Sequence, residues 1–198
     1  MKIYIARHGQ TDWNMELRMQ GHTDIPLNET GLAQAEMLAE RFKHIPIDKI
    51  FSSDLCRASE TANIINKHHN VEIILDEGLR EVSYGHLEGR LASEVADQLT
   101  EVRRNCKAMP GGEEPDAFLE RIRSSMDKVT AESAENILVV AHGCAIRAIE
   151  CYFLGLSKDC LFVWGVGNTA VYCFERSGDS TVFNMIIEND TSHLGGGS

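Results

Sequence analysis

Asn136-Ile137-Leu138-Val139-Val140-Ala141, followed at once by His142-Gly143, is the stretch on which the reading of the fold turns. The run is apolar without alternation and is too short for a buried helix. That is the pattern of a strand covered on both faces, as in a parallel sheet. A helix is predicted from Ala145 to about Leu154. The same grammar appears at the N-terminus, where Lys2 to Ala6 reads as a strand that empties into Arg7-His8-Gly9. Between the two, Asn28 is placed to cap a helix running to Phe42, with Leu32, Ala35, Leu38, Ala39 and Phe42 on its apolar face. Lys49-Ile50-Phe51 is a short strand that stops at Ser52-Ser53-Asp54. A helix from Arg57 to Asn66 buries Ala58, Ala62 and Ile65, and Val71 to Leu75 is the next strand.

Strand, helix, strand, helix, strand predicts an α/β fold: a three-layer sandwich with a mostly parallel central sheet and helices on both faces. Near the C-terminus, Ala170 to Phe174 and Thr181 to Glu188 flank the turn Ser177-Gly178-Asp179 and predict an antiparallel hairpin at the sheet edge. The middle is less regular. Leu79 to Gly89 is loop-like, short helical pieces are expected between Leu91 and Lys107, and Met109-Pro110-Gly111-Gly112 is a turn. Asp116 is expected to cap a helix carrying Phe118, Ile122, Met126 and Val129. Residues 1–194 read as a single domain, with 91–115 as a lid over the site. Gly195-Gly196-Gly197-Ser198 reads as a flexible linker or an artificial scar.

The 198 residues are 43% hydrophobic and 25% charged, enough for one sizeable core. A formal net charge of -11 argues against nucleic acid or an anionic membrane as partner, so any anion must bind in a local basic pocket. No apolar run approaches the roughly 18 residues a membrane helix needs, and no signal-peptide core precedes Arg7. The 6 cysteines, Cys56, Cys106, Cys144, Cys151, Cys160 and Cys173, form no C-x-x-C pair and lack zinc-site spacing. They are read as reduced and structural, in a cytoplasmic protein. The sequence leaves the oligomeric state open.

Four chemistry-bearing segments follow strands: Arg7-His8, Arg57, Glu81 and His142. The carboxyl ends of parallel strands share one rim, where ligands bind. Singly, each residue has an ordinary structural reading: a surface cation, a hydrogen-bonded histidine, a solvated carboxylate. Arg57 is less ordinary, because its charge opposes the dipole of the helix it begins. His142 precedes a helix N-terminus whose N–H groups, Gly143 first, favour an anion.

Arg7-His8-Gly9-Gln10-Thr11 with Trp13-Asn14 resembles the signature of the histidine phosphatase superfamily, the phosphoglycerate mutase-like proteins. The resemblance continues in order through Gln20-Gly21, Pro26-Leu27, Gly31, Ser52-Ser53-Asp54-Leu55 with Arg57-Ala58 and Thr61-Ala62. It then takes in Leu79-Arg80-Glu81, Gly85, Glu88-Gly89, Pro110-Gly111-Gly112-Glu113 and His142-Gly143 with Ile146-Arg147. Asn189 to Leu194 resembles the phosphatase members.

The resemblance implies a phosphohistidine mechanism on a small phosphorylated metabolite, with no cofactor and no metal. His8 would be the nucleophile, its second ring nitrogen fixed by a backbone carbonyl. Arg7, Arg57 and His142 would grip the phosphoryl oxygens. Glu81 would protonate the leaving oxygen and then deprotonate water, entering the reaction protonated because a phosphate dianion nearby raises its pKa. Asn14, Gln20 and Gly21 match secondary phosphate contacts.

Val82 stands where the mutases carry arginine, and the mutases' longer central insertion is missing. Hydrolysis is therefore preferred to mutase-type transfer. A non-catalytic phospho-ligand module ranks last, since His8 and Glu81 are both present. Cys144 and Glu114 also depart from the commoner pattern. Arg103-Arg104 reads as a solvated helix face, and His68-His69 as an exposed helix end. Gly165 to Ala170 fits G-x-G-x-x-A, but a strand and not a helix is predicted next, so it is no nucleotide fingerprint.

Overall fold

A computed structural model describes residues 1–158, 161, 165–178 and 180–195, with Arg103 lacking a described side chain. Cys160, Asp179 of the expected hairpin turn and Gly196 to Ser198 of the expected linker lie outside the described residues. The elements run β1 (Lys2–Arg7), α1 (Asp12–Met15), α2 (Glu29–Phe42), β2 (Lys49–Ser52), α3 (Cys56–Asn66), β3 (Ile73–Leu75), α4 (Ala96–Asn105), α5 (Pro115–Thr130), β4 (Asn136–Ala141), α6 (Gly143–Leu154), β5 (Val171–Glu175) and β6 (Asn184–Asp190).

The strands form a 6-stranded sheet in the order β3-β2-β4-β1-β5-β6. The pairs β3-β2, β2-β4 and β4-β1 are parallel, while β5 is antiparallel to β1 and β6 to β5. Register decides where the site falls. Arg7 lies opposite Ala141, and Ser52 opposite Val140. The ladder continues one step further, with the His8 N–H donating to the Ala141 carbonyl at 3.1 Å and the Ser53 N–H to the Val140 carbonyl at 3.0 Å. His8, Ser53 and His142 therefore leave the sheet together on one rim.

Alternate residues of the central strands point to opposite faces, and each face has its own core. Ile3, Ile5, Ile137, Val139, Tyr172 and Phe174 pack with Phe118, Ile122 and Met126 of α5 and Ile146 and Ile149 of α6. On the other face Tyr4, Ala6, Leu138 and Val140 pack with Ala35, Leu38 and Phe42 of α2 and Ala58, Ala62 and Ile65 of α3. This is the three-layer α/β sandwich read from the sequence, held by side chains worth about 1.5–3 kcal/mol each when fully buried. Among the described residues no helix is long and apolar enough to cross a membrane.

Several local expectations change. Leu32 is 37% exposed, and Gly31 is buried instead, because the first turn of α2 abuts backbone where no side chain fits. Asp116 is not a cap: α5 starts at Pro115, whose fixed φ suits the first helical position, and Glu114 precedes it without a side-chain cap bond. β3 is shortened because the Asn66 side chain bonds both the N–H and the carbonyl of Val71, holding that residue in the turn. The antiparallel part is two strands wide, and its second strand begins at Asn184 rather than Thr181. Segment 91–115 carries α4, with Val95, Leu99, Val102 and Met109 in the α5–α6 core. Its first residues are laced to the N-terminal region, the Ala92 N–H donating to the Leu17 carbonyl at 2.8 Å.

Candidate active site

His8 follows β1 and is 2% exposed. Its Nδ1 lies 2.6 Å from the Gly9 carbonyl oxygen. A carbonyl only accepts, so Nδ1 carries the hydrogen of the neutral ring and Nε2 keeps its lone pair. Burial lowers the His8 pKa well below the ordinary 6.5, and the charges of Arg57 and Arg7 push it the same way. The loop of His8 is pressed against α2: a Cβ on Gly9 would stand 2.4 Å from the Gly31 carbonyl oxygen. Thr61 steadies it from α3, its hydroxyl accepting the Gly9 N–H at 3.2 Å and donating to the Arg57 carbonyl at 2.8 Å.

Arg57, 1% exposed at the start of α3, spends its fork on three protein acceptors. Nε donates to His142 Nδ1 at 3.3 Å, and the two terminal nitrogens donate to the Thr23 and Gly21 carbonyls at 2.9 and 2.8 Å. Arg7 donates to the Val166 carbonyl at 2.5 Å, while its Nε is buried without a partner. Burial lowers both guanidinium pKa values from their ordinary one, and Glu81 opposes that shift.

His142, fully buried, sits with its ring 5.1 Å from that of His8, centroid to centroid. Its Nδ1 accepts from Arg57, which leaves Nε2 as the N–H donor to the Ser53 hydroxyl at 2.8 Å. Burial lowers its pKa well below 6.5, followed by the charge of Arg57.

Glu81 is 8% exposed and docks on the N-terminus of α6. Its carboxylate accepts the N–H groups of Cys144 at 3.1 Å, Ala145 at 3.2 Å and Val82 at 3.0 Å. A Cβ on Gly143 would stand 3.7 Å from the Glu81 carboxylate and 3.9 Å from Arg7 Nε.

These side chains enclose a hollow of about 70 Å³, a little over two waters' share of liquid volume at about 30 Å³ each. Arg7, His8, Arg57 and Glu81 line it, with Asn14, Gln20 and Gly21, and so do Arg18, Met19 and Tyr84. All five residues expected to carry the chemistry are thus brought together, though His142 reaches the centre through Arg57 and beside His8. The Gln20 side-chain oxygen is buried without a partner, and a half-turn of that amide offers its NH2 to an anion. Among the described residues no group of three or more His, Cys, Asp or Glu could hold a metal ion.

Other residues complete the site. Glu88 accepts the His22 and Thr23 N–H groups and the Thr23 hydroxyl, and on the opposite side the Tyr84 N–H, at 2.6–3.1 Å. It thereby ties the loop whose carbonyls hold Arg57 to the loop that carries Glu81. Arg121 donates to the Gly78, Arg80 and Glu81 carbonyls and pairs with Glu113 at 2.7 Å. Asn168 donates to the His8 carbonyl and to Asn14 Oδ1, both at 3.2 Å. Ser53, Thr61 and Glu88 belong to the family-like pattern in the sequence but carried no assigned role. Asn168 lies in the G-x-G-x-x-A stretch, and Arg121 has no local signal.

The family model described as "Histidine phosphatase superfamily (branch 1)" matches residues 3–189. Phosphoglycerate mutase-like protein 4 of Arabidopsis thaliana is 34% identical over 98% of this chain and 86% of its own length. A mycobacterial glucosyl-3-phosphoglycerate phosphatase solved with VO3 superposes with a TM-score of 0.86 at 28% identity, covering 95% of this chain and 98% of that one. The phosphoserine phosphatase of Entamoeba histolytica, solved with 3-phosphoglyceric acid, gives 0.84 at 28% identity, covering 98% of each chain.

Proposed function

Because this chain belongs to the histidine phosphatase superfamily, we propose that it hydrolyses small phosphomonoesters through a phosphohistidine on His8 and without a metal. The observation that carries this reading is the state of His8. Its Nδ1 is tied to a carbonyl and its ring is held neutral by burial and two guanidiniums, so Nε2 faces the reaction as a nucleophile.

In the first step Nε2 bonds to phosphorus as the ester P–O bond breaks, and Glu81 gives its proton to the departing oxygen. In the second, Glu81 takes a proton from water, which attacks phosphorus, breaks the P–N bond and releases inorganic phosphate. Arg7, with its unspent Nε, and Arg57 hold positive charge where negative charge gathers, the task a metal performs elsewhere. Asn14, Gln20, Gly21 and the Gly143 end of α6 complete the cradle. His142 contributes at one remove: its Nδ1 holds the Arg57 guanidinium in place and its ring stands beside that of His8. Segment 91–115 serves as one wall of this single domain, anchored by its core side chains.

Mutase-type transfer is the weaker reading. Val82 is 2% exposed and packs in the core, so the position that could hold a second anionic group offers none.

Phosphate release from a panel of monoesters tests the proposal. His8→Ala is expected to abolish turnover and still bind orthovanadate; near-normal release by that variant refutes the nucleophile. Glu81→Gln is expected to slow alkyl phosphates far more than aryl phosphates, whose leaving groups need no proton. Equal slowing of both refutes the acid role.

A further inference from the structure

Beside the phosphate-sized hollow lies a second one of about 280 Å³, and the two share Arg7, Asn14, Arg18 and Met19 as common walls. An ester whose phosphate sits in the first hollow therefore has this second space beside it for its alcohol half. Together the two volumes stand at the small end of ligand pockets, which run roughly 300–1,000 Å³.

The lining of the second hollow is mostly apolar: Trp13, Leu17, Met19 and Ala92. The Trp13 ring lies against Gly89, where a Cβ would come within 3.2 Å of it, so this wall is fixed by a residue without a side chain. Of the two guanidiniums in its lining, Arg7 also faces the first hollow and Arg18 is already engaged within the protein. Arg18 is the cation on this side of Arg7, and its Nε is paired with the Glu16 carboxylate while its terminal nitrogen donates to the Gly89 carbonyl. Asn14 and Asn168 supply polar edges suited to a hydroxyl.

Leu17 singles the hollow out. It is 71% exposed, and its φ of 57° lies in the left-handed region that branched apolar side chains avoid. Its backbone closes the C-terminus of α1, the Leu17 N–H donating to the Asn14 carbonyl and the Arg18 N–H to the Trp13 carbonyl, and this turn presents the Leu17 side chain to the hollow.

Resting on the phosphatase reading above, we propose that the alcohol half of the substrate is uncharged and presents an apolar or aromatic face of about one ring's size to Trp13 and Leu17. Carboxylate-bearing esters such as phosphoglycerate and phosphoserine are then poor substrates.

The test compares kcat/KM for 2-phenylethyl phosphate with that for 3-phosphoglycerate and phosphoserine. All three are alkyl esters, so the intrinsic difference between alkyl and aryl leaving groups is removed. The chain is expected to prefer the phenylethyl ester by about tenfold or more, the scale of discrimination an apolar pocket provides. Leu17→Asn keeps a residue that tolerates the left-handed region and removes the apolar surface. It is expected to narrow that preference about fivefold, whereas Leu17→Met keeps it. Phosphate release that favours or equals the carboxylate esters overturns this inference and leaves the phosphatase reading standing. A phenylethyl preference that Leu17→Asn does not change overturns the assignment to this hollow. No release from any ester overturns both.

Discussion

Two buried imidazoles make the stability of this fold depend on pH in a window where ordinary carboxylates are silent. His8 and His142 are 2% and 0% exposed, and burial together with neighbouring guanidiniums holds both pKa values well below 6.5. In the unfolded chain each ring titrates near its ordinary value of about 6.5. Below that pH the unfolded state binds protons that the native state refuses, so stability falls as pH falls. With both rings still neutral in the fold at pH 5, each loses about 2 kcal/mol between pH 7 and pH 5, or about 4 kcal/mol for the pair. That is a large share of the roughly 5–15 kcal/mol that holds a domain together. The depressed carboxylates Asp54, Asp76 and Asp190 lose their contributions only below about 4, outside this window. Glu150, whose pKa burial raises, gives a small opposite slope near its lower end. His193 and His69, less deeply buried, add a smaller loss of the same sign. Urea unfolding followed by circular dichroism at pH 7, 6 and 5, in phosphate-free buffer of fixed ionic strength, measures the loss. His8→Asn and His142→Asn should each remove about half of the slope. A wild-type loss under about 1 kcal/mol, or variants that keep the full slope, refutes the neutral-imidazole picture.

Three further substitutions separate function from folding. Arg57→Met removes a buried charge that stands near Arg7, offsetting the three hydrogen bonds it forfeits. Its unfolding free energy should stay within about 2 kcal/mol of wild type while turnover drops about a thousandfold; retained turnover would show that Arg57 only props the loop of Gly21 and Thr23. Gly31→Ala would place a Cβ 2.0 Å from the Gln10 carbonyl oxygen, a backbone atom that cannot step aside. It should cost about 3 kcal/mol, whereas Gly143→Ala, with its nearest neighbour at 3.7 Å, should fold normally and bind phosphate more weakly. Thermal unfolding with and without orthovanadate distinguishes the two.

The sheet was legible because β1, β2 and β4 are short apolar runs that end in polar residues, and burial on both faces leaves that mark. Arg7, His8, Arg57, Glu81 and His142 could be placed on one rim because each follows a parallel strand. What the chain does not advertise is who holds those residues. Arg121 reaches the Glu81 loop from the middle of α5, and nothing in its neighbours distinguishes it from Arg123 on the same helix. Glu88 serves donors from two loops, a role set by where the chain folds back and not by any local pattern. The misplaced cap has a local cause: Asp116 fits a cap by type, but Pro115 had already fixed the start of the helix. Leu32 has the right spacing for the core, yet the close approach of Gly31 to the loop of His8 turns that edge of α2 outward.

The position of β1 between β4 and β5 bears on synthesis. β1 is flanked by two strands that leave the ribosome more than a hundred residues after it. Arg7 rests on Val166, and the carbonyl of His8 on Asn168, from the last quarter of the chain. A nascent polypeptide therefore makes His8 long before the residues that hold it in place exist.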